Sequence, residues 1–151
     1  IRCWELTPLN GCDMAKVSIT GELHHLAAAH KYAQMLADYI SKGSQFWCFG
    51  SLGGFERNYD AMAANIRKIH LKLTGDKPWP PEASLSERTC NNFLVFAQHL
   101  YDDEHYQILA IISPNAHQQA DSMLPRLIKL AEETFIELPP AELEKLKTYD
   151  S

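Results

Sequence analysis

The sequence predicts an α+β fold with one antiparallel-rich sheet, helices packed on one of its faces, and the other face partly open. Three observations lead to this prediction. Residues 93–113 contain two β-rich apolar runs around a polar loop, and residues 66–73 alternate between apolar and polar side chains. Residues 22–42 and the region after residue 115 repeat apolar side chains at helical spacing. With 151 residues, the chain is long enough for one domain with its own core.

The composition indicates a globular protein without a membrane-spanning segment. Apolar residues make up 46% and charged residues 22% of the chain, as is usual for globular proteins. No apolar run approaches the roughly 18 residues of a membrane span, and no secretion signal is evident. The cysteines have neither CxxC nor zinc spacing, so we expect reduced thiols and a cytoplasmic protein with no membrane partner. These cysteines are Cys3, Cys12, Cys48 and Cys90. The net charge of −5 does not by itself indicate nucleic-acid binding.

The centre of the predicted sheet is an antiparallel hairpin, formed by Phe93–Leu100 and Gln107–Ser113 around the loop Tyr101–Tyr106. Both runs are apolar at consecutive positions, so both faces of both strands must be covered, which places the pair in the middle of the sheet. Pro114 has no N–H for a sheet ladder and ends the second strand. His117 follows this strand end, where a side chain can reach from a rigid base into a cleft.

Four segments are predicted before Ile66. Lys16–Thr20 alternates and is predicted as a short edge strand. Glu22–Lys42 carries one apolar stripe and is predicted as a helix that stops at Gly43. Ser44–Asn58 is rich in aromatic residues and glycine but lacks a phosphate-loop pattern, so we interpret it as an aromatic-anchored connection. Tyr59–Ala64 forms either a short helix or a turn.

Three histidines near the start of the first predicted helix raise the question of a metal site. They are His24, His25 and His30. Residues five or six apart do not share a helix face well, so we predict no metal site and no cofactor.

Ile66–Leu73 is predicted as a strand with one apolar face and one cationic face that carries an imidazole. The cationic face includes Lys68, His70 and Lys72. Such a face either lies on a polyanion or is an ordinary solvated sheet face. Thr74–Thr89, with three prolines and a glycine, is predicted as a loop that brings Arg88 to the start of the hairpin.

A second long helix is predicted after Asn115. We predict that the main helix begins after a cap at Asp121 or Ser122, with Pro125 in its first turn, and that it ends before Pro139. The last twenty residues are rich in acids, and we interpret residues 137–151 as an acidic C-terminal tail that either packs across the site or hangs free.

Short pieces of the sequence resemble the YafO toxins of the RelE/ParE superfamily in their order and approximate spacing, over roughly residues 37–135. The pieces are Phe49-Gly50, Tyr59-Asp60, Ile69-His70-Leu71, Pro78-Trp79-Pro80-Pro81, Arg88-Thr89, Leu94-Val95-Phe96, Asp103-Glu104, Ala110-Ile111, Pro114, His117, Ala131-Glu132 and Phe135. The resemblance implies a RelE/ParE-like twisted antiparallel sheet of about four strands, with N-terminal helices on one face and a C-terminal helix. Residues 14–136 would form this toxin domain, and residues 1–13 an N-terminal appendage that is disordered or non-native.

The function that this resemblance implies is that of an mRNA interferase in a type II toxin–antitoxin system. Such a toxin is an endoribonuclease that cuts translated mRNA on the ribosome and so inhibits translation. Its partners would be the ribosome, mRNA and a cognate antitoxin resembling YafN. Cleavage would proceed without a metal ion, by attack of the substrate's own 2′-hydroxyl.

This chemistry requires a proton acceptor, a proton donor and cations for the charge that develops on phosphorus. We predict Arg88 as the phosphate clamp, because a guanidinium binds phosphate oxygens bidentately, unless it only pairs with Glu82 or Glu87. His117 and His70 are predicted as general acid and base, unless they are packing or capping residues. The predicted RNA-binding residues are Lys68, Lys72, Thr89 and Asn91.

Two other functions are compatible with the same fold. A ParE-like toxin would bind gyrase instead of cutting RNA, and a non-enzymatic protein-binding module would do neither. Convergence of the predicted guanidinium and the two imidazoles on one cleft would favour the nuclease, whereas scattered groups and an apolar cleft would favour a binding protein.

Overall fold

A computed structural model describes residues 14–151, so the predicted appendage at residues 1–13 lies outside the described residues, together with Cys3 and Cys12. The described chain contains the strands β1 (Lys16–Ile19), β2 (Phe49–Gly54), β3 (Ile66–Leu71), β4 (Phe93–Gln98), β5 (His105–Ile112) and β6 (Tyr149–Asp150). Its α-helices are α1 (Ala27–Lys42), α2 (Tyr59–Ala63), α3 (Ala116–Thr134) and α4 (Pro140–Leu143). The predicted α+β class is confirmed.

The strands form one sheet in the order β2-β3-β4-β5-β1-β6. The predicted hairpin is confirmed as β4 and β5, which occupy the middle of the sheet and pair antiparallel, with Leu94 opposite Ile111. Two expectations are wrong. The described part of the sheet has six strands instead of about four, and the sheet is mixed, because β1 runs parallel to β5.

β1 is an interior strand, so its prediction as an edge strand is wrong. On one side Ser18 pairs with Gln107 of β5, and on the other Lys16 pairs with Asp150 of β6. The alternation of Lys16–Thr20 was compatible with either position, because alternation reports on the faces of a strand and says nothing about its edges. The partner strand β6 lies at the far end of the chain.

β2 replaces the connection that the sequence predicts at residues 44–58. The strand pairs antiparallel with β3, and its register shifts between Phe49 and Leu52. Gly50 allows another segment to approach closely: a Cβ at this position would overlap the carbonyl oxygen of Arg88 and lie 2.8 Å from the Trp79 ring. Glycine disfavours strands in general, and here it is tolerated because the backbone of a loop packs against it.

Helices cover both faces of the sheet, so the expectation of helices on one face and a partly open second face is wrong. α1 packs on one face, in a core that includes Leu36, Phe49 and Phe96. α3 packs on the other, where Leu124 and Leu127 are buried with apolar side chains of β4 and β5. The cause is the short turn after β5, which folds α3 back across the sheet.

The two long helices begin where the sequence did not predict. α1 begins at Ala27 after a 3-10 turn at Gly21–Leu23, not at Glu22, although its predicted stop at Gly43 is confirmed by a left-handed φ of 68°. α3 begins at Ala116, before the predicted caps, and contains Pro125 in its interior. An interior proline costs roughly 3 kcal/mol in an isolated helix, and the buried leucines beside it offset that cost.

The segment after residue 136 packs against the domain. Leu143 of α4 is buried in the core beneath α3, and the Tyr149 hydroxyl of β6 hydrogen-bonds to His30 of α1. Gln34 donates to the carbonyl oxygen of Asp150 at 2.8 Å. The segment therefore contributes to the sheet edge next to β1 through β6 and to the core on the α3 side through α4. Among the described residues, no helix is both long and apolar enough to cross a membrane.

Candidate functional site

A polar cleft opens where the first turns of α3 cross the sheet. Its volume is about 510 Å³. One wall is the turn from β2 into α2, which is held by Asn58, whose side chain accepts a hydrogen bond from the backbone N–H of Ala61 at 3.0 Å. The lining residues are Gly54, Phe55, Glu56, Arg57, Asn58, Lys68, His117, Asp121 and Leu124.

Two histidines meet beside this cleft. The ring centroids of His70, on β3, and His117, on α3, lie 5.7 Å apart. Both rings contact the Phe93 ring edge-to-face, with centroid distances of 5.1 Å for His70 and 4.8 Å for His117. The predicted convergence of His70 and His117 is therefore present, and a buried aromatic ring fixes the spacing between them.

His117 is anchored by Asn91, in the segment that leads into β4. The Asn91 side-chain oxygen accepts the backbone N–H of His117 at 2.8 Å and also lies 2.8 Å from Nδ1 of the same residue. The Asn91 carbonyl oxygen accepts the backbone N–H of Ala116 at 3.0 Å, and the Asn91 amide donates to Gln118 at 3.1 Å. Asn91 thus holds the start of α3 and orients the imidazole.

His70 is nearly enclosed, with 7% of its surface exposed. Its Nδ1 lies 3.0 Å from the backbone nitrogen of Cys90 and 2.8 Å from the carbonyl oxygen of the same residue. Burial lowers the pKa of His70. Donation from Nδ1 of the protonated ring to the Cys90 carbonyl oxygen opposes this shift, and the charges of Lys68 and His117 lower the pKa further. His70 is consequently neutral at neutral pH.

Lys68 lies at the boundary between the cleft and the core. Its Nζ is 4.7 Å from the centre of the Phe55 ring and 4.5 Å from that of Phe93. Burial lowers the pKa of Lys68, and the negative charges of Glu56 and Asp121 act in the opposite direction. The ammonium group is therefore held by two aromatic faces and is partly dehydrated, which strengthens its attraction for an anion in the cleft.

The remaining predicted residues form a second group around Trp79. The Trp79 ring donates its N–H to the carbonyl oxygen of Thr89 at 2.9 Å, and Lys72 Nζ lies 5.0 Å from the ring centre. Arg88 Nε donates to the carbonyl oxygen of Ala83 at 3.2 Å. Arg88 is not among the described residues that line the cleft, so of the three predicted catalytic groups the two imidazoles come together and the Arg88 guanidinium does not join them.

Residues 37–137 match the family model described as Toxin YafO, type II toxin-antitoxin system. The chain belongs to the YafO toxin family. No curated protein and no solved structure matches it. All residues of the cleft lie inside the matched region, as do the residues around Trp79. Membership of a type II toxin–antitoxin family implies a cognate antitoxin as the partner of this YafO toxin.

Sequence reasoning missed several residues of the YafO cleft. Arg57 lines it and supplies a guanidinium there, while Glu56 and Asp121 add carboxylates. Asn58 was a usable local signal for the start of α2 and so for the turn that carries Arg57, but it gave no signal for a functional role of Arg57. Asp121 was interpreted as a helix cap, because the interior proline hid the true start of α3. Among the described residues, no group of three or more His, Cys, Asp or Glu side chains is placed to hold a metal ion.

Proposed function

We propose that this YafO-family toxin is a ribosome-dependent mRNA interferase, an endoribonuclease that cleaves translated mRNA without a metal ion. The observation that carries the proposal is the pair of imidazoles 5.7 Å apart, with Lys68 beside them, at a polar cleft. An apolar cleft with dispersed charges would have favoured a protein-binding toxin. The antiparallel strands β2 to β5 would be the part of the sheet shared with RelE/ParE-like toxins.

The reaction needs three functions that these side chains can perform. A base takes the proton of the 2′-hydroxyl, an acid protonates the departing 5′-oxygen, and cations stabilise the charge on phosphorus. Histidine suits proton transfer near neutral pH. His117, exposed at the mouth of the cleft, would contact the substrate, with the enclosed His70 behind it. Lys68 and Arg57 would face the scissile phosphate.

Arg88, Lys72 and Thr89 would bind the RNA outside the point of cleavage. They surround Trp79, whose ring is half-buried and packs against Lys72. Aromatic rings beside cations are a common platform for single-stranded RNA. This arrangement changes the expected role of Arg88 from a clamp on the scissile phosphate to a contact with a neighbouring nucleotide.

The acidic net charge is compatible with this activity if the protein contacts RNA only through the cations of the cleft and of the surface around Trp79. The cleft contains both carboxylates and cations, so the toxin alone would bind free RNA weakly. The ribosome would present the message to the cleft. A cytoplasmic antitoxin resembling YafN would neutralise the toxin before it reaches the ribosome.

Expression of the toxin from an inducible promoter tests the proposal. We expect growth arrest and new 5′ ends in translated messages. His117→Ala should reduce cleavage by about 10²–10⁴-fold, the range typical of a lost acid–base group. His25→Ala is the matched control, since His25 is an exposed histidine near the start of α1.

Two further variants distinguish the role of Lys68 in cleavage from the role of Arg88 in RNA binding. Lys68→Met, which keeps the aromatic packing, should abolish cleavage, whereas Arg88→Ala should weaken binding and leave residual cleavage. Growth arrest with intact messages would contradict the nuclease proposal and support a gyrase-binding toxin. Unimpaired growth at full expression would contradict toxicity itself.

A further inference from the structure

The hydrogen bonds around the two histidines determine which ring nitrogen carries a proton. A neutral imidazole has two tautomers, and the partners of its nitrogens decide which nitrogen carries the proton. His70 contacts the backbone N–H of Cys90 directly. His117 contacts the side chain of Asn91, which itself accepts a backbone N–H. A backbone N–H can only donate, so an atom that pairs with it must be an acceptor.

Asn91 fixes the assignment at His117. The Asn91 side-chain atom that lies 2.8 Å from the backbone N–H of His117 must be an acceptor, so it is the amide oxygen. The same oxygen lies 2.8 Å from Nδ1 of the ring. An oxygen without a proton requires a donor at Nδ1, and the neutral His117 ring therefore carries its proton on Nδ1 and a lone pair on Nε2.

Cys90 gives the opposite assignment at His70. Nδ1 lies near both the N–H and the carbonyl oxygen of Cys90, and one ring nitrogen cannot satisfy both at once. The contact with the Cys90 N–H is partly buried, and a backbone N–H left without an acceptor there is rarer and costlier than a carbonyl left without a donor. Nδ1 therefore accepts from the Cys90 N–H, and the proton of neutral His70 is on Nε2.

We propose that Asn91 is a positioning residue that presents Nε2 of His117 as the general base, while His70 is a neutral hydrogen-bond donor. This assignment rests on the proposed ribonuclease function. It also replaces the direct contact with RNA expected for Asn91 by an action through His117. The two histidines thus have different roles, although both are imidazoles in contact with the same Phe93 ring.

The 2′-hydroxyl proton moves to Nε2 of His117 as the 2′-oxygen bonds to phosphorus. The bond from phosphorus to the 5′-oxygen breaks, and that oxygen takes a proton from the Lys68 ammonium. The products are a 2′,3′-cyclic phosphate and a free 5′-hydroxyl. His70 stays neutral and transfers no proton.

Nitrogen-15 NMR of the histidine rings in the labelled full chain tests the assignment without any RNA. We expect a protonated Nδ1 in His117 and a protonated Nε2 in His70 at neutral pH. Asn91→Ala should leave His117 as a mixture of both tautomers. Gln118→Ala is the matched control, because it removes the other side-chain partner of Asn91 and leaves both contacts of the amide oxygen intact. A His117 ring protonated on Nε2 in the wild type would overturn the proposal.

The pH dependence of single-turnover cleavage of ribosome-bound mRNA supplies the second readout. Asn91→Ala should reduce the rate at least about 10-fold, part of the contribution of a general base. Asn91→Asp keeps an acceptor in the same place, so it should restore most of the rate. Its carboxylate should also move the acidic limb of the rate profile to higher pH, because it stabilises the imidazolium.

The outcomes of the two experiments separate this proposal from the proposed function. Cleavage with an unchanged acidic limb in Asn91→Asp would overturn the role of Asn91 and leave the ribonuclease intact. The expected NMR spectra without any cleavage by the wild type would uphold the tautomers and refute the ribonuclease, and with it the role of His117 as a base.

Discussion

Phe93 offers the sharpest test of how the candidate site is held together. Its side chain is 1% exposed, contacts the rings of His70 and His117 edge-to-face, and lies beneath Lys68 Nζ. We predict that Phe93→Leu destabilises the protein and releases both histidines from their fixed spacing. Phe96 is the matched control, because it lies on the same strand with the same 1% exposure but in the core on the α1 side.

The size of the effect follows from the contacts. Either substitution loses about 1–2 kcal/mol through reduced burial and imperfect repacking. Phe93→Leu also loses three edge-to-face contacts, with His70, His117 and Phe55, of about 0.5–1.5 kcal/mol each and a cation–π contact of about 0.5–1 kcal/mol. Phe96 loses one tilted contact with Tyr106 at 6.1 Å. We therefore expect Phe93→Leu to be roughly 2 kcal/mol less stable than Phe96→Leu.

Urea denaturation measures this difference, and in a thermal scan it corresponds to a melting temperature lower by about 4–8 °C. The histidine ring resonances should shift in Phe93→Leu and stay unchanged in Phe96→Leu. Equal destabilisation by the two variants, or histidine shifts in both, would refute the reasoning that the Phe93 ring organises the site.

Three further predictions concern stability. Burial lowers the pKa of His70 below 6.5, so below that pH the unfolded chain binds a proton more readily than the folded chain. The free energy of unfolding of the wild type should therefore fall as the pH falls below that value. His70→Asn should show a smaller fall when urea titrations at about pH 5 and about pH 8 are compared. Gly50→Ala should cost more than about 2 kcal/mol through overlap with a neighbouring carbonyl, whereas Gly53→Ala, whose Cβ would meet nothing within 4 Å, should be nearly neutral in the same assay. Tyr149→Phe removes the hydrogen bond to α1 and should cost about 1 kcal/mol, with faster amide hydrogen exchange in β1 and β6; unchanged exchange there would contradict a role of that bond in holding β6.

The sequence predicted those elements whose pattern is determined locally. The consecutive apolar residues of β4 and β5 required cover on both faces, and this is how the central hairpin is built. Gly43 ended α1 as predicted, because only a residue that tolerates positive φ fits there. The same logic, applied fully, would have predicted helices on both faces, since a strand buried on two sides needs two layers.

The errors arose where distant segments decide the structure. β2 is poor in strand-forming residues, and it is a strand because β3 offers an edge and Trp79 packs on Gly50. α3 continues through Pro125 because its leucines are buried on both sides of that residue. In the candidate site, the histidines were identified by their chemistry, but the distance between them depends on the docking of α3, which no local pattern encodes. Arg88 was the natural choice by residue type, and its side chain turns towards its own loop.

The pairing of β6 with β1 has a consequence for self-association. β6 is two residues long and pairs with β1 on the side of that strand that faces away from β5. Without β6, the backbone N–H and C=O groups on that side of β1 would be open to pairing with a strand of a second molecule. A chain shortened by residues 149–151 should therefore self-associate more than the full chain in light scattering, and equal scattering by the two would show that this short strand does not protect β1.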